Sequence, residues 1–374
     1  MKLFEVYPLY DVIPVKGEGV YIIDDKNKKY LDFYGGHAVI SIGHSHPDFI
    51  KNLKKQINKI IFYSNAIKNP LQNQLAKKIQ EHFFIKNYKL FLCNSGAEAM
   101  ENALKLCSFH TNKKRIISFK NSFHGRTSAA ISITDNDKIK SPINKQQKVT
   151  FLKLNDSKSL EKELKKGDVC AIVIECVQGV GGLDQVNKKF VDSLKKLSKK
   201  HKTCIIADEV QSGFYRTGDF FSFEKFNLKP HVITMAKGMG NGFPIGGVLI
   251  NPEIKAKYGL LGTTFGGNHL ACRASLTVLE ILEKIDLKNK IIELENYFRK
   301  KAKNISSIKK VKGRGLMLGI EFPYEVKELR KKLILQEKIF TGGSSNKNLI
   351  RILPPLTIEK KHIDLFFNSL KKLT

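Results

Sequence analysis

The stretch from residue 169 to residue 209 decides the fold. It contains "VCAIVIE" (169–175), then "KKFVDSLKKLSKKH" (188–201), then "TCIIADE" (203–209). The two short apolar runs are typical of buried strands, and the segment between them has the spacing of an amphipathic helix. A strand, a helix and a second strand in this order predict two parallel strands joined by a crossover helix.

The same alternation continues on both sides, from about residue 71 to residue 260. It adds the helical stretches "PLQNQLAKKIQEHF" (70–83) and "EAMENALKLCSFH" (98–110), and the apolar strands "KLFLCN" (89–94), "RIISFK" (115–120), "VTFLKL" (149–154), "HVITMA" (231–236) and "GGVLI" (246–250). Short strands separated by helices predict an α/β fold with a mostly parallel, seven-stranded sheet covered on both faces.

The flanking segments have a different pattern. The stretch "GEGVYIIDDKNKKYLDFYGG" (17–36) predicts a β-hairpin that turns at Asp25–Asn27. After a long helical stretch from about residue 268, "VKGRGLMLGIEF" (311–322) and "NLIRILPPLTI" (348–358) look like two strands of a smaller α+β domain. We therefore expect a large domain over 46–265, and a small domain formed by 266–374 together with the N-terminal segment 1–45.

Composition narrows the class of protein. With 374 residues, 42% hydrophobic and 27% charged, the chain is expected to be globular. No apolar run approaches the ~18 residues that span a bilayer. The first 20 residues lack a secretory signal pattern, so we expect a cytoplasmic protein without a membrane partner. The six cysteines form no C-x-x-C pair and are expected to be buried and reduced.

The net charge of +30 raises the possibility of a nucleic-acid-binding protein. The lysines, however, are spread along the whole chain, and no arginine-rich or aromatic-interleaved tract accompanies them. A drift of composition toward lysine accounts for the charge better, so no nucleic-acid partner is expected. His44 and His46 lie near each other without accompanying acids or cysteines, so a loop before Pro47 is favoured and no metal site is expected.

Three stretches carry chemistry at the ends of predicted strands. In "CNSGAEAMENALKL" (93–106), Ser95 and Glu98 form a capping-box pattern, which places Gly96 and Ala97 at the helix start. Helix N-termini entered through small residues bind phosphate, although an ordinary helix cap has the same pattern.

The second stretch is "CIIADEVQSGF" (204–214). Asp208 and Val210 are two residues apart on a strand and so share one face. A carboxylate and a flat apolar contact at a strand end suit a ring with a protonatable nitrogen. A strand-end aspartate that caps a loop remains the alternative.

The third stretch is "VITMAKGMGNGFPIGG" (232–247), in which Lys237 follows an apolar strand and stands among glycines. A lysine in a crowded apolar place loses its charge readily, as a Schiff-base lysine must. Elsewhere, "NSFHGRT" (121–127) offers Phe123 for stacking and Arg126. Arg351 lies between apolar residues in "LIRILPP", where it either pairs within the protein or binds a substrate carboxylate.

Together, "NSGAEA", "FHGRT", "DEVQSGFYRTG", "AKGMGNGFPIGG" and "GTTFGGNHLAC" resemble the class III aminotransferases nearly from end to end, and within that class the acetylornithine aminotransferases of arginine biosynthesis. The resemblance implies a fold-type I enzyme that uses pyridoxal 5′-phosphate, held as a Schiff base on Lys237. It also implies a homodimer with its active sites at the interface. The expected substrates are N2-acetylornithine and 2-oxoglutarate. The alternatives are N-succinylornithine, ornithine or another ω-amine, an aminomutase, and a basic nucleic-acid-binding protein without catalysis.

The resemblance also implies roles for individual residues. Lys237 and Asp208 are the expected catalytic residues, with Asp208 pairing with the pyridine nitrogen. The expected contacts to the cofactor ring are Val210, Phe123 and Gln211, and those to its phosphate are Gly96, Ala97 and, from the partner subunit, Thr264. The expected substrate contacts are Thr263, Arg126 and Arg351.

The chain departs from the family pattern in "ECVQGVGG" (175–182), where Val180 replaces a common glutamate. That glutamate pairs with the arginine matching Arg351 in related ornithine enzymes. Its absence should leave Arg351 free for a carboxylate, which favours N-acylated ornithines.

Overall fold

The structure is a computed structural model that describes residue 1 and residues 3–374. Its strands are β1 Pro14–Glu18, β2 Tyr21–Asp24, β3 Lys29–Asp32, β4 Lys89–Cys93, β5 Arg115–Phe119, β6 Val149–Leu152, β7 Val169–Ile174, β8 Cys204–Asp208, β9 Val232–Met235, β10 Gly246–Ile250, β11 Lys310–Arg314, β12 Met317–Glu321, β13 Ile339–Phe340 and β14 Leu349–Ile352. Its helical segments are α1 Gly35–Ala38, α2 Pro47–Ile57, α3 Pro70–Glu81, α4 Gly96–Thr111, α5 Ser128–Ser132, α6 Ser157–Leu164, α7 Lys188–His201, α8 His269–Leu282, α9 Leu287–Ala302, α10 Lys327–Leu335 and α11 Lys360–Leu373.

The central sheet has seven strands in the order β4-β10-β9-β8-β7-β5-β6. Neighbours from β9 to β6 are parallel, whereas β10 runs antiparallel to both β4 and β9. All seven predicted strands are present, and the predicted α/β class with a mostly parallel sheet is confirmed. β7 and β8 are buried at every residue, as expected for strands covered on both faces.

Helix α7 shows how the sequence builds one crossover. The Asn187 side chain caps its start by accepting the Phe190 N–H, and Lys202 ends it in the left-handed conformation. Phe190, Leu194 and Leu197 recur at helical spacing and are buried in the core beneath the sheet. The 3.6-residue pattern visible in the sequence therefore covers one face of β7 and β8.

The two ends of the chain share a second sheet in the order β1-β2-β3-β13. β2 and β3 form the predicted hairpin, and Leu31 of β3 pairs in parallel with Ile339 of β13. His44 next to this sheet makes a 2.8 Å hydrogen bond to Asp32. The shared sheet supports our proposal that segment 1–45 belongs with the C-terminal small domain.

The third sheet has the order β11-β12-β14. The segment 311–322, expected to be one strand, contains parts of two antiparallel strands that turn between Arg314 and Met317. Gly315 makes this turn with a φ of 61°. An added Cβ there would lie 2.7 Å from the backbone of Thr217, so glycine is required.

Within residue 1 and residues 3–374, no helix is long and apolar enough to cross a membrane. All six cysteines are buried and free.

Candidate active site

The cavity lies at the carboxyl ends of the central strands. It has a volume of about 300 Å³. Eight of the predicted site residues line it, namely Gly96, Ala97, Phe123, Arg126, Asp208, Val210, Gln211 and Lys237. These residues come from the loops after β4, β5, β8 and β9, as expected for a ligand site in an open α/β sheet.

The start of α4 forms one wall of this cavity. Ser95 caps the helix by accepting the Glu98 N–H at 3.2 Å, and Glu98 accepts the Asn94 N–H at 2.8 Å. The reciprocal bond thus reaches one residue further back than a standard capping box. A Cβ on Gly96 would lie 2.6 Å from a Val210 methyl carbon, so only glycine fits here. The first helical N–H groups lack intrahelical partners and are available to an anion.

Asp208 ends β8 and is 6% exposed. Its carboxylate accepts hydrogen bonds from the Val210 N–H at 3.1 Å and the Thr234 hydroxyl at 3.3 Å. The shortest contact, 2.6 Å, is to Nδ1 of His124. These three hydrogen bonds fix the position of the Asp208 carboxylate in the cavity wall.

His124 is a site residue that the sequence reasoning missed. It lies between Phe123 and Gly125 in the motif "FHGRT" and is buried. Burial works to lower the pKa of His124, but the hydrogen bond and the charge of Asp208 outweigh it and raise that pKa. The sequence signal was a histidine beside two residues already assigned to the site. Its partner is 84 residues away, so the pairing was not visible.

Lys237 follows β9 and begins a 3₁₀ turn, Lys237–Met239, with a φ of 50°. Burial lowers the pKa of its ammonium to about 8, assisted by the charge of Arg351 and opposed by the charge of Asp208. The side chain lines the cavity, and a lysine with this pKa gives up its proton far more readily than a surface lysine.

Glu175, at the end of β7, is a second residue whose position the sequence did not reveal. One oxygen accepts the Phe123 N–H at 3.0 Å and the other accepts the Gly179 N–H at 2.9 Å. Burial raises its pKa. The carboxyl group holds the loop that carries Phe123 against the loop that carries Val180.

Arg351 lies on β14 and is 4% exposed. Its Nη2 donates to the Tyr34 hydroxyl at 3.0 Å, and Nη1 donates to the Gly179 carbonyl at 3.3 Å and to Gln211 Oε1 at 3.5 Å. The Nε–H donates to the Gly343 carbonyl. Within the described part of the chain, no carboxylate lies within 4.0 Å of this guanidinium.

Of the predicted substrate and partner contacts, Arg126 lies at the edge of the cavity in the single chain, and Thr263 and Thr264 lie outside it. Arg126 lies exposed at the rim of the cavity. Thr263 lies in a neighbouring cavity and accepts the Gly266 N–H at 3.0 Å. Thr264 is exposed. The predicted role of Thr264 needs a second subunit, so it stays a prediction.

The family model for aminotransferase class-III matches residues 5–374. The acetylornithine aminotransferase of Aquifex aeolicus is 40% identical over 375 residues, covering 97% of this chain and 98% of that protein. The enzyme of the same name from Bacillus subtilis is 37% identical, covering 99% and 97%.

Among solved structures, the acetylornithine aminotransferase of Elizabethkingia anophelis is 29% identical with a TM-score of 0.85, covering 98% of this chain and 94% of that one. The ornithine aminotransferase of Toxoplasma gondii is 26% identical with a TM-score of 0.91, covering 98% and 91%. The sequence, the fold and the family model agree that the chain belongs to the class III aminotransferases.

Proposed function

We propose that this aminotransferase moves the δ-amino group of N2-acetylornithine to 2-oxoglutarate, giving N-acetylglutamate 5-semialdehyde and glutamate, as a cytoplasmic step of arginine biosynthesis. Relatives named acetylornithine aminotransferase match it at 35–40% identity over nearly its whole length, which supports the proposal. The observation that carries it is Arg351, a buried cation beside the cavity with no carboxylate partner in the described chain.

Pyridoxal phosphate is the cofactor of this enzyme class, and one of the Toxoplasma structures holds it at its active site. The cavity suits its three functional groups. The Gly96 end of α4 would hold the phosphate, Asp208 the pyridine nitrogen, and Lys237 the aldehyde carbon. The glycine that no side chain can replace at the helix start is the observation that best fits a phosphate. When bound, the cofactor supplies an electron sink for the amino-bearing carbon of the substrate.

The protein residues supply orientation and proton movement. Asp208 would favour the protonated form of the pyridine nitrogen, because a nearby carboxylate stabilises positive charge. His124 fixes that carboxylate from behind. Lys237, with a pKa of about 8, accepts a proton at Nζ from the substrate carbon and returns it at a neighbouring position. Phe123 and Val210 line the cavity and close it around a flat ring.

The carboxylate of the amino donor is assigned to Arg351 and Arg126. Val180 lines the same cavity, so the position of the missing family glutamate is apolar here. A guanidinium without an internal acid keeps its charge available, and its planar fork suits a carboxylate. This favours N-acylated ornithines, with succinylornithine as the competing donor because Arg126 offers a second cation.

We further propose that two copies form a homodimer that completes the site through Thr264. Exposed apolar side chains occur in the N-terminal segment and in the stretch on either side of Thr264, which supports a covered surface; they are Leu3, Phe4, Tyr7, Leu9, Tyr258 and Phe265. Sedimentation of the purified protein at several concentrations should show a dimer.

A panel of amino donors with 2-oxoglutarate tests the proposed reaction. N2-acetylornithine should give the highest kcat/KM, followed by N-succinylornithine, with ornithine far below. Lys237→Ala should abolish turnover in the folded protein, whereas Lys229→Ala, an exposed lysine, should match the wild type. Ornithine as the best donor would refute the substrate proposal, and full activity of Lys237→Ala would refute the mechanism.

A further inference from the structure

The segment Gly35–Ala38 follows β3 and carries an unusual backbone. All four residues have positive φ values, of 54°, 53°, 71° and 65°. Two of them, His37 and Ala38, have side chains, for which the left-handed conformation costs roughly 1–2 kcal/mol each. Strained residues of this kind persist where the surrounding structure holds them, and they concentrate at functional sites.

Hydrogen bonds join this turn, and Tyr34 immediately before it, to the candidate site. The His37 carbonyl accepts Nε2 of Gln211 at 3.1 Å, and the Tyr34 hydroxyl lies 3.0 Å from Nη2 of Arg351. The Tyr34 hydroxyl also lies 2.5 Å from Nδ1 of His37. The Arg351 guanidinium stands over the Tyr34 ring, 5.5 Å from its centroid. Tyr34 and His37 therefore stand directly beside the proposed carboxylate-binding arginine.

The direction of these hydrogen bonds follows from their donors. A guanidinium only donates, so the Tyr34 oxygen accepts from Arg351 and its own O–H points to Nδ1 of His37. Burial, followed by the charges of Arg351 and Lys237, lowers the pKa of His37 and keeps the ring neutral. With Nδ1 as the acceptor, the ring hydrogen is on Nε2. His37 is exposed and its carbonyl accepts from Gln211, which lines the cavity, so its Nε2–H is an available donor next to the site.

The charges around the cavity distinguish amino donors that carry a second ammonium from those that carry an N-acyl group. Glu175 and Asp208, the acids closest to the cavity, already accept hydrogen bonds from Phe123, Gly179 and His124, among others. A donor with a free second ammonium, such as ornithine, would place that positive charge next to Arg351 and the His37 N–H. Among the residues that the structure describes, no acid is available there to pair with the ammonium. An N-acyl group removes that charge and presents a carbonyl oxygen that accepts a hydrogen bond.

We propose that Tyr34 and His37 select N-acylated amino donors, with Tyr34 fixing the Arg351 guanidinium and His37 Nε2–H donating to the acyl oxygen. This assignment rests on the proposed function. It adds two specificity residues, Tyr34 immediately before the strained turn and His37 within it, to the cavity residues described above.

Two variants separate the two roles. His37→Asn keeps a residue that tolerates the left-handed conformation but shortens the side chain. It should lower kcat/KM for N2-acetylornithine about tenfold and leave that for glutamate, which has no acyl group, within twofold of the wild type. Tyr34→Phe removes the hydrogen bond that fixes the Arg351 guanidinium and should lower kcat/KM for both substrates. His110→Asn and Tyr324→Phe, at exposed positions, are the matched controls and should change neither.

Binding without reaction gives a second readout. N2-acetylnorvaline lacks the δ-amino group and cannot be transaminated. Calorimetry on the pyridoxal-phosphate-loaded enzyme should show about tenfold weaker binding of this compound to His37→Asn and to Tyr34→Phe. If His37→Asn fails to fold, as judged by loss of the cofactor absorbance, Tyr34→Phe decides, because it changes no backbone requirement.

The outcomes distinguish this inference from the proposed function. Wild-type enzyme that does not use N-acylornithines contradicts the proposed function itself. The role of Tyr34 and His37 is overturned by a different set of results. In that case the wild-type enzyme uses N-acylornithines, but His37→Asn keeps the wild-type ratio of kcat/KM for acetylornithine to kcat/KM for glutamate. Both variants also bind acetylnorvaline as tightly as the wild type does.

Discussion

Replacing His124 with leucine tests whether the buried imidazole supports the carboxylate of Asp208, which we propose to be catalytic. Asp208 accepts three hydrogen bonds, at 2.6 Å from His124, 3.1 Å from Val210 and 3.3 Å from Thr234. His124→Leu removes the shortest one, and it is the only one of the three made by an ionisable side chain. A hydrogen bond to a charged group is worth about 1.5–3 kcal/mol, and each ~1.4 kcal/mol corresponds to a factor of ten in rate.

The two remaining bonds still hold Asp208, so the loss should fall between about 10-fold and 100-fold in kcat/KM. Steady-state kinetics with the best donor and 2-oxoglutarate measures it, and His110→Leu, at an exposed histidine, is the control. A titration that follows the absorbance of the bound cofactor against pH gives a second measurement. A purely structural defect would leave the midpoint of this titration unchanged. Activity of His124→Leu within twofold of the wild type, with an unchanged titration, would refute the reasoning.

The same pair predicts a dependence of stability on pH. The pKa of folded His124 is raised above its ordinary value of 6.5 by Asp208, against the effect of burial. A raised histidine pKa contributes stability that is fully present below about pH 6.5 and is lost as the pH rises through the folded value. The difference in unfolding free energy between wild type and His124→Leu should therefore shrink as the pH rises above 6.5, as measured by denaturant titrations.

Three further outcomes follow from the cavity. Because burial lowers the pKa of Lys237 to about 8, the rate at which cofactor-free enzyme recombines with pyridoxal phosphate should rise with pH through 8 and then level off; stopped-flow absorbance that keeps rising to pH 10 contradicts this. Gly96→Ala places a Cβ 2.6 Å from Val210 and should weaken cofactor binding at least tenfold in an absorbance titration, and normal affinity would exclude the proposed phosphate site. Val180→Glu gives Arg351 an acid partner, so kcat/KM for acetylornithine should fall about tenfold while that for ornithine rises; an unchanged preference contradicts our interpretation of Val180.

The sequence predicted the scaffold well because its signals are local. Each central strand is a short apolar run bounded by turn residues, and each helix has its own cap and period, so neighbouring residues carry the information. The hairpin of β11 and β12 was missed because the apolar run that becomes β12 already begins at Leu316, within the turn, so hydropathy does not mark where that strand starts. The sign of φ at Gly315, which makes the turn, is not visible in a hydropathy pattern.

Three of the predicted site residues could be recognised from their place at a strand or helix end, whereas Phe123, Arg126, Val210 and Gln211 lie in the loops that follow. The three are Asp208, Gly96 and Lys237, and the structure places all of them around one cavity. His124 and Tyr34 act through partners 84 and 317 residues away. Contacts between residues so far apart depend on how the sheets are arranged, which no single stretch of sequence encodes.

The residues proposed for cofactor binding and those proposed for substrate selection come from different parts of the fold. The residues proposed to face the cofactor extend from neighbouring strands of one buried sheet, where hydrogen bonding between strands fixes their spacing. Arg351 and Tyr34 come instead from β14 and the turn after β3, in the sheets built from the chain ends. Arg216 links these regions, since its Nη1 donates to the Leu316 carbonyl at 3.2 Å and its Nη2 to the Ile40 carbonyl at 3.4 Å. Apart from the contribution of Arg126, which follows β5 of the central sheet, substrate preference can therefore change through the outer sheets while the proposed chemistry at the central sheet stays the same.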